Sequence, residues 1–179
     1  MNITVFLGSR EGRDANIRAA LEALAAWIGD AGHTLIYGGS KVGLMGVLAE
    51  TVKRHGGRVI GIEPCFFVEA CVQFDGADEL IVTEDMAERK DKLIRMADTL
   101  VVFPGGTGTL EEFAQALSML NLGHVDVKCA VYNVDHYYDD LKAMLDKMVA
   151  FGFYPRESCE RVIFADSLAA LTEAIEAQE

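Results

Sequence analysis

The sequence predicts an open, doubly wound α/β domain, with a mostly parallel sheet of about seven strands and helices on both faces. Short β-rich apolar runs alternate with longer amphipathic runs along the chain. Strands of four or five residues separated by helices imply parallel pairing through right-handed crossovers. The near-continuous apolar run Leu100–Phe103 suits a strand that is covered on both faces.

The first strand, Ile3–Leu7, leads into a helix over Asn16–Ala31. Asp14 or Asn16 can cap the start of this helix, and Gly32 supplies its stop. One stripe of the helix carries aliphatic residues at helical spacing, namely Ile17, Leu21, Leu24 and Ile28. The helix is therefore expected to pack this stripe against the sheet.

The next elements continue the alternation. A second strand is expected at Thr34–Tyr37 and a second helix at Leu44–His55, which Gly56-Gly57 would end. A third strand follows at Arg58–Ile62 and a fourth at Glu79–Val82.

The second half of the chain alternates in the same way. Its expected elements are a helix at Met86–Ala97, a strand at Thr99–Phe103, a helix at Thr109–Leu120, a strand at Cys129–Asn133, a helix at Tyr138–Phe151, a strand at Arg161–Phe164 and a helix at Ser167–Ala177. The sequence contains no linker, repeat or low-complexity stretch, so we expect a single domain over residues 1–179.

Composition excludes several classes of protein. The 179 residues suffice for one ordinary domain, and 51% of them are hydrophobic, which excludes wholesale disorder. The formal net charge of −12 argues against a general polyanion binder, so no nucleic-acid partner is expected. A small phosphorylated ligand stays possible, because it needs only a local cluster of donors.

Membrane and metal functions are not indicated. No apolar run is long enough to cross a bilayer, and the N-terminus lacks the pattern of a signal peptide. The four cysteines form no CxxC pair and have no histidine at zinc-ligand spacing. We therefore expect idle thiols, no metal site, no membrane partner and a cytoplasmic location.

Three predicted strands end in glycine-rich turns. The turns are Gly8-Ser9, the loop from Gly38-Gly39 to Gly46, and the loop Pro104–Glu112. In a parallel sheet all three fall at the carboxyl edge, where open α/β sheets bind ligands. Gly8, Ser9 and Gly39 are therefore expected to line one site for a phosphate or a nucleotide.

The third loop carries the most specific signal for an anion. Gly105, Gly106 and Gly108 let the backbone approach a ligand closely, and Thr107 and Thr109 add hydroxyl donors at a helix N-terminus. The loop lacks the Gly-Lys-Ser/Thr of a P-loop, and Gly8-Ser9-Arg10 does not fit the dinucleotide fingerprint. The sequence therefore gives little support for an ATPase or a dehydrogenase function.

Two charged segments expected at the same edge of the sheet have alternative interpretations. Thr109 and Glu112 match a capping box, in which Thr109 is the N-cap; alternatively, Glu112 is a catalytic carboxylate that faces the ligand. Arg89 and Lys90 could be part of a solvated helix start, or could face an anion or a neighbouring carboxylate.

The motif Pro104-Gly105-Gly106-Thr107-Gly108-Thr109-Leu110-Glu111-Glu112 resembles the PGGxGTxxE signature of the LONELY GUY (LOG) family. Members of this family are cytokinin riboside 5′-monophosphate phosphoribohydrolases, often mislabelled as lysine decarboxylases. Glu88-Arg89-Lys90 and the Gly38–Gly46 loop resemble its other two motifs, and the similarity extends to about Phe151.

The resemblance implies a Rossmann-like homodimer that needs no cofactor and that cleaves the N-glycosidic bond of AMP or N6-modified AMP. Arg89 and Glu112 would be the catalytic pair, and the loop from Gly105 to Thr109 would bind the phosphate. Lys90, Glu111 and Ser9 would contact the substrate.

The sequence also departs from the family pattern. Ala87 and Leu93 replace a usual His and Met, and the segment Cys65–Ala77 does not match, which leaves base preference open. A non-catalytic carrier of a nucleotide or a nucleotide-like cofactor is the alternative function. Apolar side chains on the helix after the motif could serve a core or a dimer interface: Phe113, Leu117, Met119, Leu120 and Leu122.

Overall fold

A computed structural model describes residues 1–177, and a seven-stranded sheet lies at its centre. The strands are β1 (Asn2–Phe6), β2 (Thr34–Tyr37), β3 (Arg58–Pro64), β4 (Glu79–Thr83), β5 (Thr99–Val102), β6 (Lys128–Tyr132) and β7 (Val162–Ala165). Their spatial order is β4-β3-β2-β1-β5-β6-β7, and every neighbouring pair is parallel. The predicted doubly wound α/β class is confirmed.

Helices connect the strands. They are α1 (Ala15–Asp30), α2 (Gly43–Arg54), α3 (Cys65–Glu69), α4 (Met86–Arg95), α5 (Thr107–Asn121), α6 (Asp139–Ala150), α7 (Arg156–Glu160) and α8 (Leu168–Glu176), with a single 3-10 turn at Val134–His136. The side chain of Asp14 caps α1 by accepting a hydrogen bond from Asn16 N at 2.9 Å. Gly32 follows that helix with a φ of 69°, which suits the predicted stop.

Two apolar layers cover the two faces of the sheet. One layer joins the sheet to α1, α2 and α8 through side chains such as Leu24, Leu48 and Leu171. The other joins it to α4, α5 and α6 through Leu93, Phe113 and Leu145. Alternate strand residues feed the two layers because successive side chains point to opposite faces.

Three short elements were not predicted. Helices α3 and α7 have five residues each, and the 3-10 turn has three. Such segments are too short for a periodic apolar pattern to show. Both short helices follow a proline, Pro64 and Pro155, which serves as the N-cap.

The strand order reverses beside β1. The chain builds the sheet outward from β1 through β2, β3 and β4, then returns to place β5 on the other side of β1. The loops after β1 and β5 therefore diverge to opposite faces and leave a crevice between them, as at other topological switch points.

Other expectations concern metals, thiols and membranes. Within residues 1–177, no group of three or more His, Cys, Asp or Glu side chains is placed to hold a metal ion. All four cysteines are free thiols. No helix in this described part of the chain combines the length and apolar character that a membrane span needs.

Candidate active site

A cleft of about 1000 Å³ opens at the carboxyl edge of the sheet. Loops after β1, β2, β3, β5 and β6 line it, and so do the first turns of α2, α4 and α5. Almost all of the predicted site residues lie on its walls: Gly8, Ser9, Arg89, Lys90, Gly105, Gly106, Thr107, Gly108, Thr109, Glu111 and Glu112. The topology has thus brought residues far apart in sequence into one space.

The N-terminus of α5 faces the cleft. Gly106 is the N-cap residue and makes no side-chain capping bond. The first main-chain bond of the helix runs from Leu110 N to Gly106 O at 3.2 Å, so the amides of Thr107, Gly108 and Thr109 precede it. A Cβ at Gly106 or Gly108 would meet nothing within 4 Å. Free amides beside open space are a favourable environment for an anion.

Close backbone packing holds this loop against β1. Gly8 N donates to Pro104 O at 3.2 Å, and a Cβ at Gly105 would overlap the Thr109 hydroxyl. Tyr137 donates its hydroxyl proton to Gly105 O at 2.7 Å from the segment after β6. Gly105 is therefore needed for a close approach that fixes the loop before any ligand arrives.

Arg89 and Glu112 form an ion pair at the base of the cleft. Arg89 Nη1 lies 3.2 Å from Glu112 Oε1, and both residues are buried, with 5% and 8% of their surfaces exposed. Burial raises the pKa of Glu112, while the Arg89 guanidinium opposes that rise. The pair thus provides a carboxylate that is a stronger base than a surface glutamate.

Two further donors of Arg89 bind the main chain. Nε donates to Ile62 O at 3.0 Å, and Nη2 donates to Gly38 O at 3.4 Å. A side chain at Gly38 would collide with Nη2, so this glycine makes room for the guanidinium. Arg89 consequently ties α4 to the ends of β2, β3 and α5.

The capping-box interpretation of Thr109 and Glu112 is wrong. The helix begins at Thr107, so Thr109 lies within the first turn and Glu112 lies in the second. Glu112 pairs with Arg89 instead of reaching back to a main-chain amide. The Glu112 carboxylate therefore does not cap the N-terminus of α5, contrary to the sequence pattern.

Lys90 contacts Glu111 through a close ion pair between α4 and α5. The lysine side chain is 14% exposed and the glutamate 62%, so the pair lies where the cleft meets solvent. Of the two partners considered for Lys90, an anion or a carboxylate, this structure shows the carboxylate.

Gly39 is placed differently from the other predicted site residues. It is buried with a φ of 85°, and a Cβ there would overlap Cγ of Glu63. Its neighbours Gly38 and Ser40 line the cleft, whereas Gly39 does not. Gly39 therefore makes room for the side chain of Glu63, and we do not assign it a contact with a ligand.

Several residues of the cleft were missed in the sequence. Arg10 and Arg13 follow β1, Glu63 lies near the end of β3, and Tyr137 follows β6. A signal for Glu63 was available, because this glutamate directly follows the charge-free residues 59–62 at the edge that carries the site. Arg10 and Arg13 could have been found in the same way, because they follow β1 at the edge where parallel sheets bind ligands.

The segment that departs from the family pattern forms part of the cleft wall. Lys41 N donates to Val72 O and Phe74 N donates to Gly39 O, both at 2.8 Å, which fastens the segment to the loop after β2. Phe67 and Val72 from this segment line the cleft together with Met45 and Met86. The cleft therefore has apolar side chains in its lining as well as polar groups.

The model of a family described as possible lysine decarboxylase matches residues 45–175. The chain is 37% identical over 161 residues to the probable cytokinin riboside 5′-monophosphate phosphoribohydrolase LOGL1 of Oryza sativa subsp. japonica, covering 90% of this chain and 72% of that protein. It is 33% identical over 175 residues to the cytokinin riboside 5′-monophosphate phosphoribohydrolase LOG5 of Arabidopsis thaliana, covering 98% and 77%.

Solved structures share the fold. The molybdenum cofactor binding protein of the phototrophic bacterium Rippkaea orientalis superposes with a TM-score of 0.74. It is 26% identical, and the match covers 98% of this chain and 94% of that one.

Proposed function

The chain belongs to the LONELY GUY (LOG) family, and from this premise we propose that it hydrolyses the N-glycosidic bond of an adenosine 5′-monophosphate, plain or N6-modified. The products are the free base and ribose 5-phosphate. One observation carries the proposal: a buried Arg89–Glu112 pair lies in the same cleft as the free amides of α5.

The proposed reaction needs a group that stabilises positive charge on the ribose. Breaking the bond between C1′ and N9 develops cationic character on the ribose, as in other glycoside hydrolyses. The carboxylate of Glu112 stabilises this charge and takes a proton from the attacking water. Arg89 holds that carboxylate in place and opposes the rise in its pKa that burial causes.

The amides of α5 supply binding energy away from the reacting bond. A hydrogen bond to a charged group contributes about 1.5–3 kcal/mol, so a few main-chain amides suffice to hold a phosphate dianion. Anchoring the phosphate positions the ribose over Glu112, and such remote binding lowers the barrier for the chemical step. A net charge of −12 does not oppose this, because the donors are main-chain groups.

The family model's description suggests a different reaction, which would need a lysine free to hold pyridoxal phosphate. The lysine on the cleft wall, Lys90, contacts the Glu111 carboxylate. The names of the curated relatives also favour the hydrolase.

The test is incubation with AMP, N6-isopentenyl-AMP and adenosine, followed by chromatography for the free base. We expect base release from at least one nucleotide and little from adenosine, which lacks the anchoring phosphate. Equal turnover of nucleoside and nucleotide would contradict the phosphate anchor.

The variant Glu112→Gln tests the catalytic part of the same proposal. Loss of a general base costs about 10²–10⁴-fold in kcat, while an amide of the same shape still accepts the hydrogen bond from Arg89. Glu173→Gln on the exposed side of α8 is the matched control and should react like the unmodified protein. Tight AMP binding without any base release would instead support a non-catalytic binding protein, and a solved structure of the same fold is named a binding protein.

Two further parts of the proposal come from the sequence and the family resemblance: a homodimer and a cytoplasmic location. Four of the five apolar side chains considered for an interface are buried within the protomer, namely Phe113, Leu117, Met119 and Leu120. Leu122 is 65% exposed, and Leu110 on the same helix is 43% exposed. These two side chains are the ones on or next to α5 available to a second copy.

A further inference from the structure

Glu63 is a buried carboxyl group to which the mechanism above gives no role. Its residue is 1% exposed, yet it lies on the wall of the cleft. Its Oε1 atom is fully buried and has no hydrogen-bond partner. The chain also uses a glycine with positive φ, Gly39, to make room for this side chain. A buried and unpaired carboxyl group costs free energy, which calls for an explanation in terms of ligand chemistry.

The surroundings of Glu63 are poor in charge. Arg89 from α4 is the charged group that acts on the pKa of Glu63. Arg89 makes its own three hydrogen bonds with Glu112, Ile62 O and Gly38 O. On β2 the titratable neighbour is the Tyr37 phenol, and on β4 the residue in register is the apolar Val82.

We propose that Glu63 is the proton donor to the leaving base, so that the cleft uses two carboxyl groups with opposite duties. This inference rests on the proposed hydrolysis. Glu112, which is paired with Arg89, accepts a proton from water, and Glu63, which lacks a hydrogen-bonded partner, delivers one to the purine. Two carboxyl groups in different environments are the usual arrangement for cleaving a glycosidic bond.

The proposed step balances as follows. The bond between C1′ and N9 breaks, and its electron pair passes to the purine ring. The carboxyl proton of Glu63 moves to a ring nitrogen of the base, which leaves neutral. The oxygen of water bonds to C1′, and one proton of that water passes to Glu112. Proton exchange with solvent then restores both carboxyl groups.

The protonation state of Glu63 suits this duty. Burial raises its pKa to about 7, although Arg89 acts in the opposite direction. A group with a pKa near neutrality is both protonated in a large fraction of molecules and acidic enough to release its proton. An ordinary glutamate would be almost fully ionised under the same conditions.

The test compares two leaving groups with Glu63→Gln. AMP needs a proton on its base, whereas 4-nitrophenyl ribofuranoside 5-phosphate releases a stable phenolate that needs none. We expect Glu63→Gln to lower kcat for AMP by about 10²–10⁴-fold and to leave the nitrophenyl substrate nearly unchanged. Glu112→Gln should slow both substrates, and Glu173→Gln neither.

Each other outcome has a definite meaning. An equal loss on both substrates, or no loss on either, would overturn the role of Glu63 and leave the hydrolase standing. An unmodified protein that cleaves neither substrate would overturn the proposed function itself, and the inference with it.

Should Glu63→Gln fail to fold, the unmodified protein still decides the question. The rate with AMP should fall as the pH rises through about 7, because Glu63 loses its proton, while the nitrophenyl rate should not fall in that range. The same pH profile for both substrates would overturn the proposal.

Discussion

Arg89 lies between two buried carboxyl groups and treats them differently. It donates a hydrogen bond to Glu112 but none to Glu63, and two of its other donors bind the main-chain oxygens of Ile62 and Gly38. A hydrogen bond to a carboxylate favours the ionised form, and burial without one favours the neutral form. In the proposed mechanism, the Arg89 hydrogen bond therefore favours the ionised form of Glu112 more than that of Glu63.

The raised pKa of Glu63 has a consequence for stability. In the unfolded chain this group releases its proton near its ordinary value of 4.5, and in the folded protein near 7. Between these values the folded state binds more protons, so its contribution to the free energy of unfolding falls as the pH rises through that window. The slope is at most about 1.4 kcal/mol per pH unit.

Urea denaturation at pH 5 and pH 7.5 measures this difference, with Glu63→Gln as the comparison. The substitution removes the titrating group, so the difference between the two pH values should shrink. The control Glu173→Gln, at an exposed site, should keep the original difference. An unchanged difference in Glu63→Gln would show that Glu63 is not the protonated group.

Sequence patterns singled out Arg89 and Glu112, because each belongs to a motif at the start of a helix near the carboxyl edge of the sheet. Glu63 escaped notice because its burial depends on Gly39, whose missing side chain leaves room for it after the neighbouring strand. Side-chain burial of this kind arises from tertiary packing, and no local pattern records it.

At the scale of elements, the start of α5 determines where the proposed anion site lies. The Thr-x-x-Glu pattern placed the helix start at Thr109, whereas the helix begins two residues earlier at Thr107. A capping pattern reports only interactions between residues close in sequence. Here Glu112 pairs with Arg89 on α4 instead of forming the local capping bond. The earlier start brings the threonine and glycine amides to the first turn, where they are free for a ligand.

Gly106→Val tests this site. Gly106 has an extended conformation that valine adopts readily, and its Cβ would enter open space, so the fold should persist. Branched methyl groups there would crowd a phosphate held by the amides. Losing one hydrogen bond to a charged group, about 1.5–3 kcal/mol, would raise KM for AMP about 10- to 100-fold.

The control for this change is Ala114→Val, at an exposed position further along the same helix. Binding of adenosine as a phosphate-free competitor should be unaffected in both variants. A KM for AMP unchanged in Gly106→Val would place the phosphate elsewhere in the cleft.

At the scale of the whole molecule, alternation of strands and helices was enough to predict the sheet and the edge that carries the site. It could not predict the close packing between distant loops, such as the bond from Tyr137 to Gly105, which joins residues far apart in sequence. Helices of five residues were also not predicted, because they are too short to show a helical apolar period.

The charge of the molecule bears on how substrate reaches the cleft. Four basic residues line it: Arg10, Arg13, Arg89 and Lys90. Six acidic residues line it as well: Glu11, Asp14, Glu63, Glu111, Glu112 and Asp135. The cleft thus does not reverse the net charge of −12, and the overall field repels an incoming phosphate dianion.

Added salt should therefore make association of AMP with this protein faster. Raising the ionic strength from about 10 mM to about 150 mM shortens the screening length from roughly 30 Å to roughly 8 Å, which removes most of the long-range repulsion. We expect kcat/KM for AMP to rise by about two- to threefold across that range, since steering effects of this kind act on association. Inhibition by uncharged adenosine should stay constant. A fall in kcat/KM with salt would mean that Arg10 and Arg13 attract the phosphate more strongly than the whole molecule repels it.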